Sequence, residues 1–144
     1  MDLFKTSKDF ILGMSMEKYD ENSYIFHAKD IKTNKVLGYV SFTINRGSWP
    51  HAWMRKIEVY DSYQRLGIGQ VLLNVFEHYC VTNNIDNVEG KYYPSNAAAI
   101  KFYQKNGYSV TNETYGKEIF KSLSKVSVNR KYNKNVYSLD ESVK

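Results

Sequence analysis

A chain of 144 residues that is 42% hydrophobic and 24% charged has the composition of an ordinary soluble domain, long enough to bury roughly 70% of its unfolded surface in one core and too short to need a second. No apolar run approaches the roughly 20 residues of a membrane span, and the opening Met1-Asp2-Leu3-Phe4-Lys5 lacks a signal-peptide core, so a cytoplasmic protein with no membrane partner is expected. One cysteine cannot close an internal disulfide, which fits a reducing compartment.

In chain order, Phe10, Leu12, Met14 and Met16 alternate with Ile11, Gly13, Ser15 and Glu17, a period of two that predicts a strand with one buried face. Segments 23–29 and 36–44 are rich in β-branched and aromatic residues and are joined by turn-forming residues 30–35, so they are expected to pair as antiparallel neighbours. A further strand over 52–60 follows the loop at 45–50 and runs into a glycine-containing junction. From Gly69 to about Asn83, Leu72, Leu73, Phe76, Tyr79 and Cys80 recur at three- and four-residue spacing, the pattern of a helix with one face against a sheet. Asn83, Asn84 and Asp86 end it, and 87–93 reads as the next strand. Pro94-Ser95-Asn96 opens a second helix, with Ser95 or Asn96 as N-cap, the alanines 97–99 as strong helix formers and Asn106-Gly107 as its stop. Short strands over 108–114 and 117–123 complete the core.

The charge is uneven. Lys121, Lys125, Arg130, Lys131, Lys134 and Lys144 stand against Asp140 and Glu141, a net of +4 out of the chain's +5. Residues 125–144 are therefore expected to form a basic C-terminal extension to a domain of residues 1–124. It mixes cations with aromatics and could meet nucleic acid or an acidic partner, or simply be a solvated or edge-strand extension. His27, His51 and His78 show no metal-ligand spacing, Cys80 lies on the apolar side of its helix as a structural residue would, and no Gly-x-Ser-x-Gly elbow is present. No metal is expected.

Gln64-Arg-Leu-Gly-Ile-Gly69 lies between a strand pattern and a helix pattern, where glycines let a ligand approach the backbone and a helix start offers unpaired N–H groups. A dinucleotide fingerprint would need glycine where Leu72 stands, and a P-loop would need Lys-Ser/Thr where Gln70 and Val71 stand. A different anion site at a helix terminus remains. About 27 residues further on comes Asn96-Ala-Ala-Ala-Ile-Lys-Phe-Tyr-Gln-Lys-Asn-Gly-Tyr108. The first segment resembles the acetyl-CoA signature Gln/Arg-x-x-Gly-x-Gly/Ala of the GNAT N-acetyltransferase superfamily, and the second resembles that family's element Asn-x-x-Ala-x-x-Phe/Leu-Tyr-x-x-x-Gly-Phe/Tyr. The resemblance covers roughly residues 36–120.

It implies an α/β (α+β) fold: one domain with a mixed, mostly antiparallel sheet of six to seven strands flanked by helices. It implies direct, ternary-complex transfer of acetyl from acetyl-CoA to a primary amine on a peptide, protein or small molecule. Backbone amides of Gln64, Arg65, Leu66, Gly67, Ile68, Gly69 and Gln70 would hold the pyrophosphate, with charge added by Arg65. The backbone of Ile57 and Val59 would pair with the pantetheine arm and aim an N–H at the thioester carbonyl. Asn96 and Tyr103, two helical turns apart, would face the same arm, with Tyr103 as proton donor to the leaving thiolate. Some members carry a glutamate five residues before the motif asparagine, but Lys91 occupies that position here. Glu89, two residues earlier on the same strand face, is the candidate base, with Glu58 as its competitor and water or backbone relays as the remaining route.

A second departure lies upstream. The family usually places one or two helices between its first two strands, whereas here about six residues, 17–22, separate them, which predicts a reduced N-terminal helical region and a more open acceptor cleft. A catalytically idle CoA-binding module and a nucleic-acid-binding protein using the basic tail remain as alternatives, although nucleic acid is not the expected partner, and a homodimer stays open.

Overall fold

The computed structural model describes residues 2–93, 95–111 and 118–137. The expected strand over 108–114 and the start of the one over 117–123 fall partly outside the described residues, as do Pro94 and the last seven residues of the extension. Nine strands form one sheet: β1 Asp2–Lys5, β2 Ile11–Lys18, β3 Ser23–Asp30, β4 Val36–Asn45, β5 His51–Val59, β6 Asn87–Lys91, β7 Ser109–Val110, β8 Glu118–Ser122 and β9 Val136–Tyr137. Their spatial order is β7-β8-β6-β5-β4-β3-β2-β1-β9. Helices α1 (Ile68–Thr82), α2 (Ala97–Lys105) and α3 (Lys125–Asn135) complete the fold.

The architecture is the expected single α/β domain with a mostly antiparallel sheet, wider at one side than the pattern predicts. β1 and β9 are the additions, and they pair with each other at Leu3↔Tyr137 and Phe4↔Val136. The basic extension is thus a docked element over its described length. Ser124 caps α3 by accepting from Ser127 N, and the helix buries Val128. It stacks Tyr132 on His78 at 3.6 Å between ring centroids and packs the same ring edge-on against Phe4.

β2 and β3 are joined by four residues, Tyr19 to Asn22, with no helix between them. Tyr19 N donates to Ser23 O, and the Asp20 carboxylate accepts from Asn22 N and Ser23 N at 2.9 Å each. Those donors hold the Asp20 carboxyl below its ordinary value, the Asn22 amide being the main cause.

The helices gather on one face. α1 lies over β3, β4 and β5, where Phe42 meets Phe76 at 4.7 Å and Tyr79 packs against Tyr24, Phe26 and Phe42. α2 and α3 both attach to α1: Gln70 Nε2 donates to Asn106 Oδ1 at 2.8 Å, and Asn74 Nδ2 to Asn135 Oδ1 at 2.7 Å. On the opposite face no helix packs among the described residues. Cross-strand partners share a face, so one row there runs Ser15↔His27↔Tyr39↔Glu58 and a second runs Ser23↔Thr43↔Trp53↔Glu89↔Phe120.

One ion pair is buried in the core. Glu77, 1% exposed, accepts from Tyr108 Oη at 2.7 Å and from Lys121 Nζ at 3.2 Å, tying α1 to β8 and to Tyr108, three residues past the end of α2. Breaking a buried pair strands a charge, which typically costs about 3–5 kcal/mol. Lys121→Met is expected to lower stability by about that amount in urea titrations, and adding Glu77→Gln, which removes the stranded charge and still accepts from Tyr108, should restore much of it. An unchanged midpoint for Lys121→Met would refute this account.

Burial sets the phenols apart from their unfolded values. Desolvation, then the Glu77 charge, pushes Tyr108 well up, while desolvation and the Tyr24 hydroxyl push Tyr79 up to about 12. Above about pH 10 the unfolded chain releases these protons while the native one keeps them, so the unfolded state binds fewer protons and stability falls with rising pH. Below pH 10 the contribution is complete. Thermal melts should show a decline beginning near pH 10, steepened by about 1.4 kcal/mol per pH unit for Tyr108, and Tyr108→Phe should flatten it.

Candidate functional site

β5 and β6 are the parallel pair in the sheet, and their pairing is brief: Ala52↔Val88, Trp53↔Glu89 and Met54↔Gly90. Beyond Met54, β5 carries a bulge, since Phe42 opposes Met54 and Ser41 opposes Lys56, leaving Arg55 without a partner. The strands then separate. Tyr60 N donates to Leu37 O at 3.0 Å, so the backbone edge at Tyr60 faces β4. Alternation turns the N–H and C=O of Val59 and Ile57 toward the edge that β6 has left. Val59 O bears this out by accepting from Gln64 Nε2 at 3.0 Å. The two expected backbone sites therefore lie on the open edge, with Val59 O already occupied.

The chain next passes a 3-10 turn at Asp61–Tyr63 and enters α1. Arg65 (φ 69°) and Gly67 (φ 83°) take left-handed conformations. Gly67 is needed for space as well as for φ, because a Cβ there would lie 3.0 Å from Ser7 Oγ and 3.1 Å from Thr6 Cβ. Gly69 differs: its Cβ would make ordinary contacts at 3.7 Å with Val59 and 3.9 Å with Phe102, so no protein atom demands glycine there.

No side chain caps α1, and its first helical bond runs from Val71 N to Gly67 O at 3.4 Å. The N–H groups of Ile68, Gly69 and Gln70 have no partner among the described residues and stand at the positive end of a 15-residue helix. Leu66 packs against the core and Arg65 is exposed. The Gln64 and Gln70 side chains are committed within the protein, Gln64 to Val59 O and Asp61, and Gln70 to Asn74 and Asn106. These two residues thus offer a ligand their backbones rather than their amide groups.

α2 starts at Asn96, whose Oδ1 accepts from Ala99 N at 3.0 Å, leaving Nδ2 free to donate. Of the two cap candidates, Asn96 is the one used. Tyr103 is 7% exposed, packs against Phe102 and Tyr108, and its hydroxyl has no hydrogen-bond partner among the described residues. Burial pushes its phenol up, so it is protonated at neutral pH. Cys80 is fully buried with its thiol pushed far up by desolvation, the condition of an inert packing residue.

Both candidate carboxylates lie on the helix-free face, on either side of the strand separation. Glu58 Oε2 is held 2.9 Å from Lys56 Nζ. Glu89 has a partner that sequence spacing did not reveal: its Oε2 lies 3.4 Å from His51 Nε2, and His51 Nδ1 donates to Trp49 O at 2.9 Å. A carbonyl can only accept, so Nδ1 carries a hydrogen, and Nε2 donates to Glu89 only when His51 is the doubly protonated imidazolium. The signal for this pair is the parallel register Trp53↔Glu89, which sets Glu89 beside the start of β5. Among the described residues no group of three or more His, Cys, Asp or Glu could hold a metal ion, and no helix is long and apolar enough to cross a membrane.

Known structures share this fold. The PaiA N-acetyltransferase of Thermoplasma acidophilum, solved in complex with coenzyme A, is 19% identical with a TM-score of 0.62 over 70% of this chain and 61% of that one. A GNAT-family acetyltransferase of Staphylococcus aureus Mu50 is 18% identical with a TM-score of 0.62 over 71% and 68%. Arabidopsis thaliana NAA60, bound to a bisubstrate analogue, is 14% identical with a TM-score of 0.62 over 72% and 77%. These likenesses are of fold. The model of the acetyltransferase (GNAT) family matches residues 3–108, spanning every element from β1 through α2 and both halves of the strand separation, and the chain belongs to that family.

Proposed function

We propose that this protein is an N-acetyltransferase that moves the acetyl group of acetyl-CoA directly to a primary amine within a ternary complex. The observation that carries the reading is the unpaired edge of β5, leading through two left-handed residues into an uncapped helix start. Three free N–H donors at α1 suit a pyrophosphate, and the exposed backbone of Ile57 suits an amide-bearing arm lying alongside as an extra strand. Asn96 Nδ2 adds a donor at the far side. Acetyl-CoA brings a thioester whose carbonyl the amine attacks and whose sulfur departs as thiolate.

The protein's groups divide the remaining work. An N–H on the open β5 edge stabilises negative charge developing on the carbonyl oxygen, an effect worth about 3 kcal/mol when lost. Tyr103 is a buried donor with no competing partner. A phenol near 10 is a weaker acid than a thiol near 8.5 by about 2 kcal/mol, and burial widens that gap, so Tyr103 steadies the sulfur by hydrogen bonding before it gives up a proton. Glu89 accepts the amine's proton through water on the helix-free face, with His51 orienting the carboxylate. Glu58 is less suited, because Lys56 engages its carboxylate directly.

Tyr103→Phe is expected to lower kcat by about a hundredfold while leaving acetyl-CoA affinity within about twofold, read by thiol release and calorimetry. Tight cofactor binding with no thiol release for any amine in a panel of peptide α-amines, lysyl peptides, polyamines and aminoglycosides would establish an idle binding module instead. Glu89→Gln should reduce kcat by about a hundredfold at unchanged acetyl-CoA affinity. His51→Phe should shift the pH profile of kcat without lowering the melting temperature, and an unmoved profile would assign His51 a packing role only.

A further inference from the structure

Three lysines bordering one cavity have no acidic partner among the described residues. The β1–β2 turn, the first turns of α1, the end of α2 and α3 surround an open recess of about 590 Å³, bordered by Lys5, Lys105, Lys131 and Lys134. Asp9 is the acid at its edge, and it is engaged by Lys5 Nζ at 3.4 Å. Lys105, Lys131 and Lys134 form no ion pair among the described residues. Like charges sharing a recess repel unless an anion joins them.

The wall of the cavity is a fixed chain of amides. Gln70 Nε2 donates to Asn106 Oδ1 and Asn74 Oδ1, Asn74 Nδ2 donates to Asn135 Oδ1, and Asn135 Nδ2 donates to Lys5 O at 3.0 Å. Asn74 and Asn106 are each only 5% exposed. This chain locks α1, α2, α3 and β1 together, so the lysines project from anchored backbones. Buried amides and unpaired cations in one recess form a polar site that folding alone does not explain. The recess also adjoins the phosphate turn: Gln70 is the third residue of α1, and Ser7, at the cavity's edge, presses Oγ against Gly67. α3 lies outside the matched residues 3–108, so Lys131 and Lys134 are not among the residues that the family model matches.

We propose that this cavity binds a phosphate monoester, with Lys131 and Lys134 as its principal cations. A phosphate monoester carries about −1.5 to −2 charges at pH 7 and three acceptor oxygens, which matches three unpaired ammonium groups. It has two sources: the ribose phosphate of CoA itself, which rests on the acetyl-CoA reading above, or a separate phosphorylated small molecule, which does not.

Calorimetry of CoA and of dephospho-CoA, which lacks only the ribose phosphate, distinguishes them in the wild type, in Lys131→Gln/Lys134→Gln, whose glutamines keep much of the side-chain length, and in the exposed charge control Arg130→Gln. If CoA supplies the group, dephospho-CoA binds the wild type about tenfold more weakly, the double variant binds both ligands alike at the weaker level, and Arg130→Gln retains the difference. If a separate ligand supplies it, the two CoA forms bind alike, and inorganic phosphate raises the melting temperature of the wild type and not of the double variant. Should no form of CoA bind, the acetyl-CoA reading fails while the phosphate melt still reports on the cavity. The proposal is overturned if the wild type shows no preference for CoA over dephospho-CoA and inorganic phosphate gives no stabilisation that depends on the two lysines.

Discussion

Parallel strands stay paired only while their backbones can run about 4.8 Å apart, and β5 and β6 satisfy that condition over three residues each. At the last pair the approach is so close that a Cβ on Gly90 would lie 2.9 Å from Met54 O. One residue later Arg55 bulges out of register with β4 and turns β5 away. An exposed strand edge is normally a liability, a row of donors and acceptors without partners. Here it is short, partly closed by the Gln64 side chain at Val59 O, and it ends in a helix start with three more free donors. Strand edge and helix end together make one continuous stretch of unsatisfied backbone, which suits a long ligand carrying both amides and phosphates.

That stretch is held open by packing elsewhere. α1 cannot slide to fill the gap, because Phe76 and Tyr79 interlock with Phe42, Tyr24 and Phe26 on the sheet, and because Glu77 is bonded to both Tyr108 and Lys121. α2 approaches to the point where Phe102 touches Gly69, and the amide chain through Gln70 and Asn74 sets the spacing of all three helices. With every helix on one face, the sheet's other face is left to polar and aromatic side chains. On the proposed mechanism, acetyl donor and amine acceptor would meet across a single layer of strand.

Much of this was legible in the sequence, for local reasons. The glycine turn before α1, α1 itself, the Asn96 cap and the short β2–β3 connection all follow from residue spacing within a dozen positions. The misses are long-range. β1 and β9 have four and two residues, too few for a period to show, and they exist because each supplies the other's edge. α3 is polar enough to read as a solvated tail; its few apolar contacts, Val128 and Tyr132, gain meaning only with His78 and Phe4 already in place. The His51–Glu89 contact depends on a parallel register established across the whole α1 crossover, which no local pattern encodes. The strand expected over 87–93 stops two residues early, at Lys91.

The helix-free face also bears on which amine the proposed reaction would favour. An enclosed pocket helps an amine lose its proton by desolvating the ammonium, lowering its pKa by as much as several units. An open sheet face offers little of that help, so the amine arrives with nearly its solution value. At pH 7 an α-amine near 7.8 needs only about 1 kcal/mol to become neutral, whereas a lysine side chain near 10.4 needs about 4.6. A half-buried carboxylate oriented by His51 can assist proton removal, but it does not supply the desolvation that a lysine would require. On the proposed mechanism, the lack of a helix between β2 and β3 therefore favours acceptors whose amine is already weakly basic, such as a peptide N-terminus, over those that depend on being enclosed.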